Sequence, residues 1–130
     1  MTLPKLCGLL LLVPAVARAD LSSLDDIESL AEQFRASFDR LDILVNNASR
    51  FYPTHVGETR TWQWDDLVNS NLRGPYFLIQ GLLPLLRAAG GNIVNIVDVH
   101  VDRPLRDFNV YGAAKAGLAS LTRSLAVELG

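Results

Sequence analysis

Cysteine is all but missing from this chain. One residue in 130, Cys7, is a cysteine. No internal disulfide can form, and neither a metal-ligand spacing nor a Cys/His nucleophile pair is present. An excess of one charge is missing too. Twelve Lys and Arg stand against fourteen Asp and Glu, a net charge of −2. The basic residues are scattered rather than striped, which gives nucleic acid and anionic membranes no footing. Internal repeats and low-complexity tracts are absent. The longest apolar stretch lies in residues 1–19 and runs for about twelve residues broken by proline, too short to cross a bilayer.

What is present suits a globular domain. Apolar residues make up 49% of the chain, and the mean hydropathy is +0.20. That is enough for one domain with a core, and too much for disorder.

Residues 1–19, MTLPKLCGLLLLVPAVARA, form an apolar leader with Lys5 ahead of it and Ala17-Arg18-Ala19 behind. This is the shape of a signal peptide, and secretion is the minority reading it supports. The alternative is a buried strand or an arbitrary replacement of an N-terminal segment. Residues 20–130 read as the folded core.

Asp20 to Arg40 has the pattern of an amphipathic helix. Ser22 or Ser23 can cap it, Asp25, Asp26 and Glu28 suit its positive end, and Leu24, Ile27, Leu30, Phe34 and Phe38 make one stripe. Leu41 to Asn47 reads as a short apolar strand. An uninterrupted apolar strand implies cover on both faces, and hence a parallel sheet. The loop Ala48 to Arg60 carries Ser49, Arg50, Phe51, Tyr52, Pro53 and His55. Polar and aromatic groups at a strand's carboxyl end suggest a ligand rim. Equally, Phe51 and Tyr52 can fold back onto the core, and His55 reads as a surface residue.

Thr61 to Ala89 has the pattern of a long helix with Pro75 inside it. That proline has no N–H for the Asn71 carbonyl, so a kink is expected there, with a free acceptor that suits a bound water. Gly90-Gly91 ends the helix. Asn92 to Val99 reads as a second strand, His100 to Phe108 as a loop, and Asn109 as the cap of a last helix over 109–129.

Asp98, Tyr111 and Lys115 are the chemistry-bearing residues. Tyr111 and Lys115 lie four apart, so a helix sets them on one face about 6 Å from each other. An ammonium beside a phenol is expected to pull its pKa down from about 10. Asp98 closes the second strand, and sites in open α/β sheets lie at strand carboxyl ends.

Taken together, strand-Asn46-Asn47-Ala48-Ser49, helix-Asn71, strand-Asp98 and Tyr111-x-x-x-Lys115 resemble the short-chain dehydrogenase/reductase family over Asp20 to Gly130. The resemblance implies an α/β class: a partial Rossmann-like, doubly wound parallel sheet in three α/β/α layers. It implies Asn71, Tyr111 and Lys115 as catalytic residues, with Asp98 where the family usually has serine. Aspartate there, with the phrase NNASRFYPT, is similar to the pteridine reductase branch. By that likeness Ser49, Phe51, Asp98 and Tyr111 meet a pterin or folate-like substrate. Asp20, Leu21, Asn47, Ala48, Ser49, Tyr111 and Lys115 meet the cofactor, NADPH or alternatively NADH. The implied reaction is hydride transfer to a C=N or C=O carbon, with the proton from Tyr111 or Asp98 and a water held by Asn71 in a relay to Lys115. No metal is implied.

The departures are as specific. The family's glycine-rich phosphate turn has no counterpart, since Gly8 stands alone and the next glycine is Gly57. The family's later strands and closing loop lie beyond Gly130. The first strand's edge is expected to be bare unless residues 9–16 fill it. The expectation is a cytoplasmic reductase that associates with copies of itself through helices 61–89 and 109–129. The alternatives are a non-catalytic fragment that associates through the same helices, or a reductase of another carbonyl substrate.

Overall fold

The computed structural model describes residues 15–130. The leader's first fourteen residues, and with them most of the segment expected to fill the strand edge, lie outside the described residues.

Helix α1 runs Leu24–Ser37. Ser23 caps it by accepting the Asp26 N–H at 3.2 Å, and Asp25 and Asp26 occupy the positive end. It is shorter at both ends than the stripe suggests: Asp20 bonds its own neighbours, and Phe38 is already extended.

Strand β1, Ile43–Asn46, pairs in parallel with β2, Asn92–Asn95, with Ile43 opposite Asn92 and Asn46 opposite Asn95. Alternation then divides the residues between two faces. Leu44 faces the helices, packed with Leu41 against Ile27, Ala31, Leu78, Leu82 and Leu85. Asn46 shares that face. It donates to Asn95 at 2.8 Å, which donates to Thr122 of the last helix at 3.0 Å. The other face is open among the described residues: Ile43 is 61% exposed and Val45 53%. The apolar strands led us to expect cover on both sides, and only one side has it here.

Between the strands, α2 (Thr61–Val68) and α3 (Gly74–Ala89) are joined by a π-helical turn, Asn69–Arg73. This is how the expected kink is realised. Pro75 offers no N–H to Asn71, and the helix widens so that Gly74 N–H donates to the Asn69 carbonyl five residues back. Pro75 then falls at the start of α3, where a proline is tolerated. Such single π turns gather at functional sites, and this one holds Asn71.

Gly74 has a second duty. A Cβ there would run into the Leu21 carbonyl oxygen, and Arg73 donates to the Ser22 carbonyl at 2.8 Å. The stretch Asp20–Ser23 is thereby seated on the π turn. Glycine to alanine in a helix ordinarily stabilises by about 1 kcal/mol. Here the sign should reverse. Gly74→Ala is expected to lower the melting temperature, and a melt raised by the substitution would show that Leu21 does not sit there.

The last helix, α4, runs Asn109–Leu129. Asn109 is its first residue rather than its cap. The capping position is Phe108, and the Asn109 side chain accepts from Val110 N–H and from Thr54 Oγ. Gly117 brings α4 close to Leu72 of the π turn, where a Cβ would lie 2.8 Å from a leucine methyl. No helix of the described residues is long and apolar enough to cross a membrane.

Candidate functional site

The chain beyond β2 turns at Asp98, whose side chain accepts the His100 N–H at 2.9 Å and so caps a 3-10 turn, Val99–Val101. The second strand is thus shorter than the apolar run, and Asp98 stands just past it. From α4, Tyr111 donates its hydroxyl proton to the other Asp98 oxygen at 2.8 Å. One turn further on, Lys115 is buried, 3% exposed as a residue, and its ammonium donates to the Ile96 carbonyl at 2.8 Å. It lies 6.0 Å from the centre of the Tyr111 ring. Strand end, turn and helix therefore converge as the spacing suggested.

The electrostatics differ from the sequence expectation. Burial first, then the hydrogen bond to Asp98 and its negative charge, push the Tyr111 phenol up to about 12. A carboxylate in direct contact outweighs an ammonium that spends its hydrogen bond on a backbone carbonyl. The same contacts act on Asp98 in the opposite sense. The His100 N–H and the Tyr111 hydroxyl hold its carboxyl below the usual range. Burial pulls Lys115 down, against the attraction of Asp98. At neutral pH the shared proton therefore belongs to Tyr111.

This has a consequence for stability. Unfolded tyrosine titrates near pH 10, and folded Tyr111 near 12. The raised pKa contributes stability that is present below pH 10 and is lost as pH rises through 12. The loss should be on the order of 2 kcal/mol. It should be missing from Tyr111→Phe, as compared by urea melts at pH 9 and pH 12. Equal alkaline losses in both proteins would count against the pairing.

The loop after β1 supplies the opposite wall. Thr54, 1% exposed, pins it: its N–H donates to the Asp107 carbonyl at 2.7 Å and its hydroxyl to Asn109 at 2.6 Å. Asp107 adopts a left-handed φ of 66° to present that carbonyl. The pin lays Phe51 over Phe108, with ring centres 4.3 Å apart, and edge-on to Tyr111 at 4.8 Å. Phe51 nevertheless remains 54% exposed. Tyr52 turns inward, its hydroxyl on Asp66 at 2.8 Å. His55 is on the surface beside Asp107.

Asn71 lies under this loop and is 1% exposed. Its amide donates to the carbonyls of Arg50 and Leu67, both at 2.9 Å, and its side-chain oxygen accepts the Ser49 hydroxyl at 2.6 Å. The side chain is thus committed to the loop. The Ser49 hydroxyl also approaches the Arg50 carbonyl at 3.4 Å.

Asp20 and Leu21 lie apart from the Asp98–Tyr111 pair. Arg50 ties them in, donating to both oxygens of Asp20, at 3.2 and 3.1 Å, and to Asp66. Beside them is a cavity of about 410 Å³, lined by Arg18 to Leu21, Ala48 to Arg50, Asp26 and Ser70. Asn47 and Ala48, at the end of β1, are exposed. A larger cavity, about 530 Å³, opens between α3, β2 and the end of α4, away from all of these residues. Thr54, Asp66 and Phe108 have structural roles that the sequence reading did not assign. Their partners stand 53, 16 and 57 positions away (Asp107, Arg50 and Phe51), so no local spacing could reveal them.

A family model described as enoyl-(acyl carrier protein) reductase matches residues 11–130. An uncharacterized oxidoreductase of Staphylococcus epidermidis is 31% identical over 115 residues, covering 88% of this chain and 50% of that protein. A D-xylose 1-dehydrogenase of Caulobacter vibrioides is 33% identical over 118 residues, covering 90% of this chain and 46% of that protein. The crystal structure of a metagenomic short-chain oxidoreductase in complex with NADP superimposes with a TM-score of 0.81 at 36% identity, over 87% of this chain and 51% of that one. The chain spans about half the length of the curated relatives it matches.

Proposed function

Because the chain belongs to the short-chain dehydrogenase/reductase family, we propose that its site takes part in reducing a C=N bond of a pterin or folate-like ring at the expense of NADPH. The reading is carried by one observation: Asp98, Tyr111 and the exposed Phe51 ring stand together at a strand's carboxyl end.

The residues present fit the nicotinamide half of a dinucleotide. Lys115 has three N–H donors and spends one on Ile96, which leaves donors for ribose hydroxyls. Asp20, Leu21, Asn47, Ala48 and Ser49 border the cavity or the strand end beside it, and would hold the remainder. The glycine-rich phosphate turn has no counterpart in this sequence. Reduced nicotinamide, when bound, supplies hydride. NADPH is preferred over NADH on the branch resemblance, and the solved relative bound to NADP supports it.

The chain's own residues account for the proton. A phenol held at about 12 is a poor acid while an ionised carboxylate accepts its hydrogen bond. A substrate that donates an N–H to Asp98 competes for that carboxylate and frees Tyr111 to give up its proton. A pterin ring, with its amino and ring N–H groups, has such donors, and its flat face can stack on Phe51. A simple ketone has neither. The sugar that the Caulobacter relative's name indicates has hydroxyl donors for Asp98 too, so the preference for the pterin rests on its flat face against Phe51.

The test is turnover of dihydropteridine and dihydrofolate with NADPH by the purified chain, beside oxidation of D-xylose. Binding is followed by quenching of Trp62 and Trp64, which are half-exposed. Reduction of the pterins alone is the expected result. Oxidation of xylose in their place would overturn the substrate assignment, and absence of NADPH binding would end the enzyme reading for this polypeptide. We also place self-association on helices α2–α3 and α4, to be checked by sedimentation. A monomer at micromolar concentration would refute it.

A further inference from the structure

The two oxygens of Asp98 face two different residues. Tyr111 donates its hydroxyl proton to Oδ2 at 2.8 Å. Oδ1 accepts the His100 backbone N–H at 2.9 Å, and Nε2 of the same histidine stands 4.0 Å from it. The imidazole cannot present either nitrogen at will. Its Nδ1 lies 2.8 Å from the Arg103 carbonyl, and a carbonyl only accepts, so Nδ1 carries the ring's first proton. Nε2 is therefore the nitrogen that gains and loses a proton, and it is the one turned toward Asp98.

Histidine is the side chain suited to changing charge near neutral pH. The chain has two, and the other, His55, stands at the surface 3.3 Å from Asp107. Asp98 stays a carboxylate over that range, because the His100 N–H and the Tyr111 hydroxyl hold its carboxyl down. A proton gained at Nε2 thus creates a cation beside an anion that Tyr111 is already using. The two side chains are 31% and 24% exposed, so water screens part of the attraction and leaves the rest. The other charge facing Asp98 is Lys115 of α4, whose ammonium is held by the Ile96 carbonyl. From the loop after β1 comes Phe51, which carries no charge.

We propose that His100 is a positioning residue that governs the proton donor through Asp98: the protonated ring draws the carboxylate toward itself and releases Tyr111 to give up its proton, whereas the neutral ring leaves Tyr111 held. The inference rests on the reading of Tyr111 as the proton donor. In the step itself the Tyr111 O–H bond breaks, and the proton bonds to the substrate atom that carries the electron pair left by hydride addition. The O–H electron pair stays on Tyr111, and solvent later returns a proton to it. His100 keeps its own proton throughout, so its part is charge and position. A cation behind Asp98 matters most when negative charge develops on the phenol oxygen, which is the condition for lowering a barrier rather than tightening binding.

The test follows the Tyr111 ring carbon by NMR in the cofactor-free chain carrying 13Cζ-labelled tyrosine, with the resonance assigned by its loss in Tyr111→Phe. A phenol pushed up to about 12 keeps its proton near neutral pH, so a shift of its resonance there reports a neighbour's change of charge. The parent should show one step between roughly pH 5 and 8. His100→Asn, whose amide can keep the bond to the Arg103 carbonyl but has no counterpart of Nε2, should abolish the step. Asp98→Asn, which removes the carboxylate through which the ring acts, should shrink it, and His55→Gln should leave it in place. The backbone N–H that caps Asp98 is present in every variant, so a purely structural role would produce no such pH dependence. In turnover of dihydropteridine, the parent's advantage over His100→Asn in kcat/KM should be about threefold or more near pH 5.5, the worth of half a unit of acid strength, and should vanish by about pH 8.5. A flat Tyr111 resonance in the parent, a step that survives His100→Asn, or an advantage that is equal at both pH values would overturn the proposal. Should His100→Asn fail to fold by circular dichroism, His100→Gln takes its place. The NMR arm needs no turnover, so the two readings fail separately. A step that depends on His100, in a chain that reduces nothing, would sink the reductase reading and keep the coupling. Turnover with a flat Tyr111 resonance would do the reverse.

Discussion

Tyr111→Phe should lose turnover by about two to four orders of magnitude, the usual worth of a positioned proton donor, and keep its fold. The argument rests on where the ring and the hydroxyl make their contacts. The ring is 5% exposed and packs with Leu67 and Val110, contacts that phenylalanine preserves. The hydroxyl makes one hydrogen bond to a carboxylate that keeps a second donor in the His100 N–H. Asp98 is also partly exposed, so water can take the vacated place. The stability cost should therefore stay near 1 kcal/mol. Turnover and thermal melts on the same preparation separate the two effects. Activity within tenfold of the parent would place the proton donor elsewhere, and Asp98 would be the next group to examine.

The parts of this site that could be read from the sequence are those set by short-range geometry. Four-residue spacing on a helix placed Tyr111 and Lys115 on one face. The apolar runs gave two parallel strands, and a proline four residues after Asn71 marked the irregular turn. What could not be read was which long-range contact would win. The phenol was expected to fall under the influence of Lys115, yet it rises. Nothing in the spacing shows that the ammonium would bond the Ile96 carbonyl while Asp98 took the hydroxyl. Asn71 is another such case, since its amide is consumed by a loop about twenty residues earlier in the chain. The ends of α1 and of both strands were overdrawn for a simpler reason. Apolar character continues past the last regular residue: Phe38 is already extended although its N–H still bonds Phe34, and Val97 follows the last sheet bond, from Ile96 to Asn46.

Asp98→Asn should have opposite effects on different substrates. The charge and the hydrogen bond of the carboxylate both raise the Tyr111 pKa. Burial, the largest cause of the rise, stays, so removing the charge should lower the phenol only part of the way from about 12, which still makes it the stronger acid. On that ground alone a simple carbonyl substrate, which needs only the Tyr111 proton, should be reduced no more slowly than before. A pterin should suffer, because the ionised acceptor that its N–H groups would engage has gone; a lost charge-assisted bond is worth about 1.5–3 kcal/mol, or roughly ten- to a hundredfold in kcat/KM. A fall for both substrates would make Asp98 a general structural support, and a rise for both would remove the basis of the pterin assignment. Coupling should also appear in the double variant. Asp98 and Tyr111 touch, so Asp98→Asn in a Tyr111→Phe background should cost far less than it does in the parent. If the two losses simply add, the pair does not act as a unit, and the proton must reach the substrate by a path that bypasses their shared hydrogen bond.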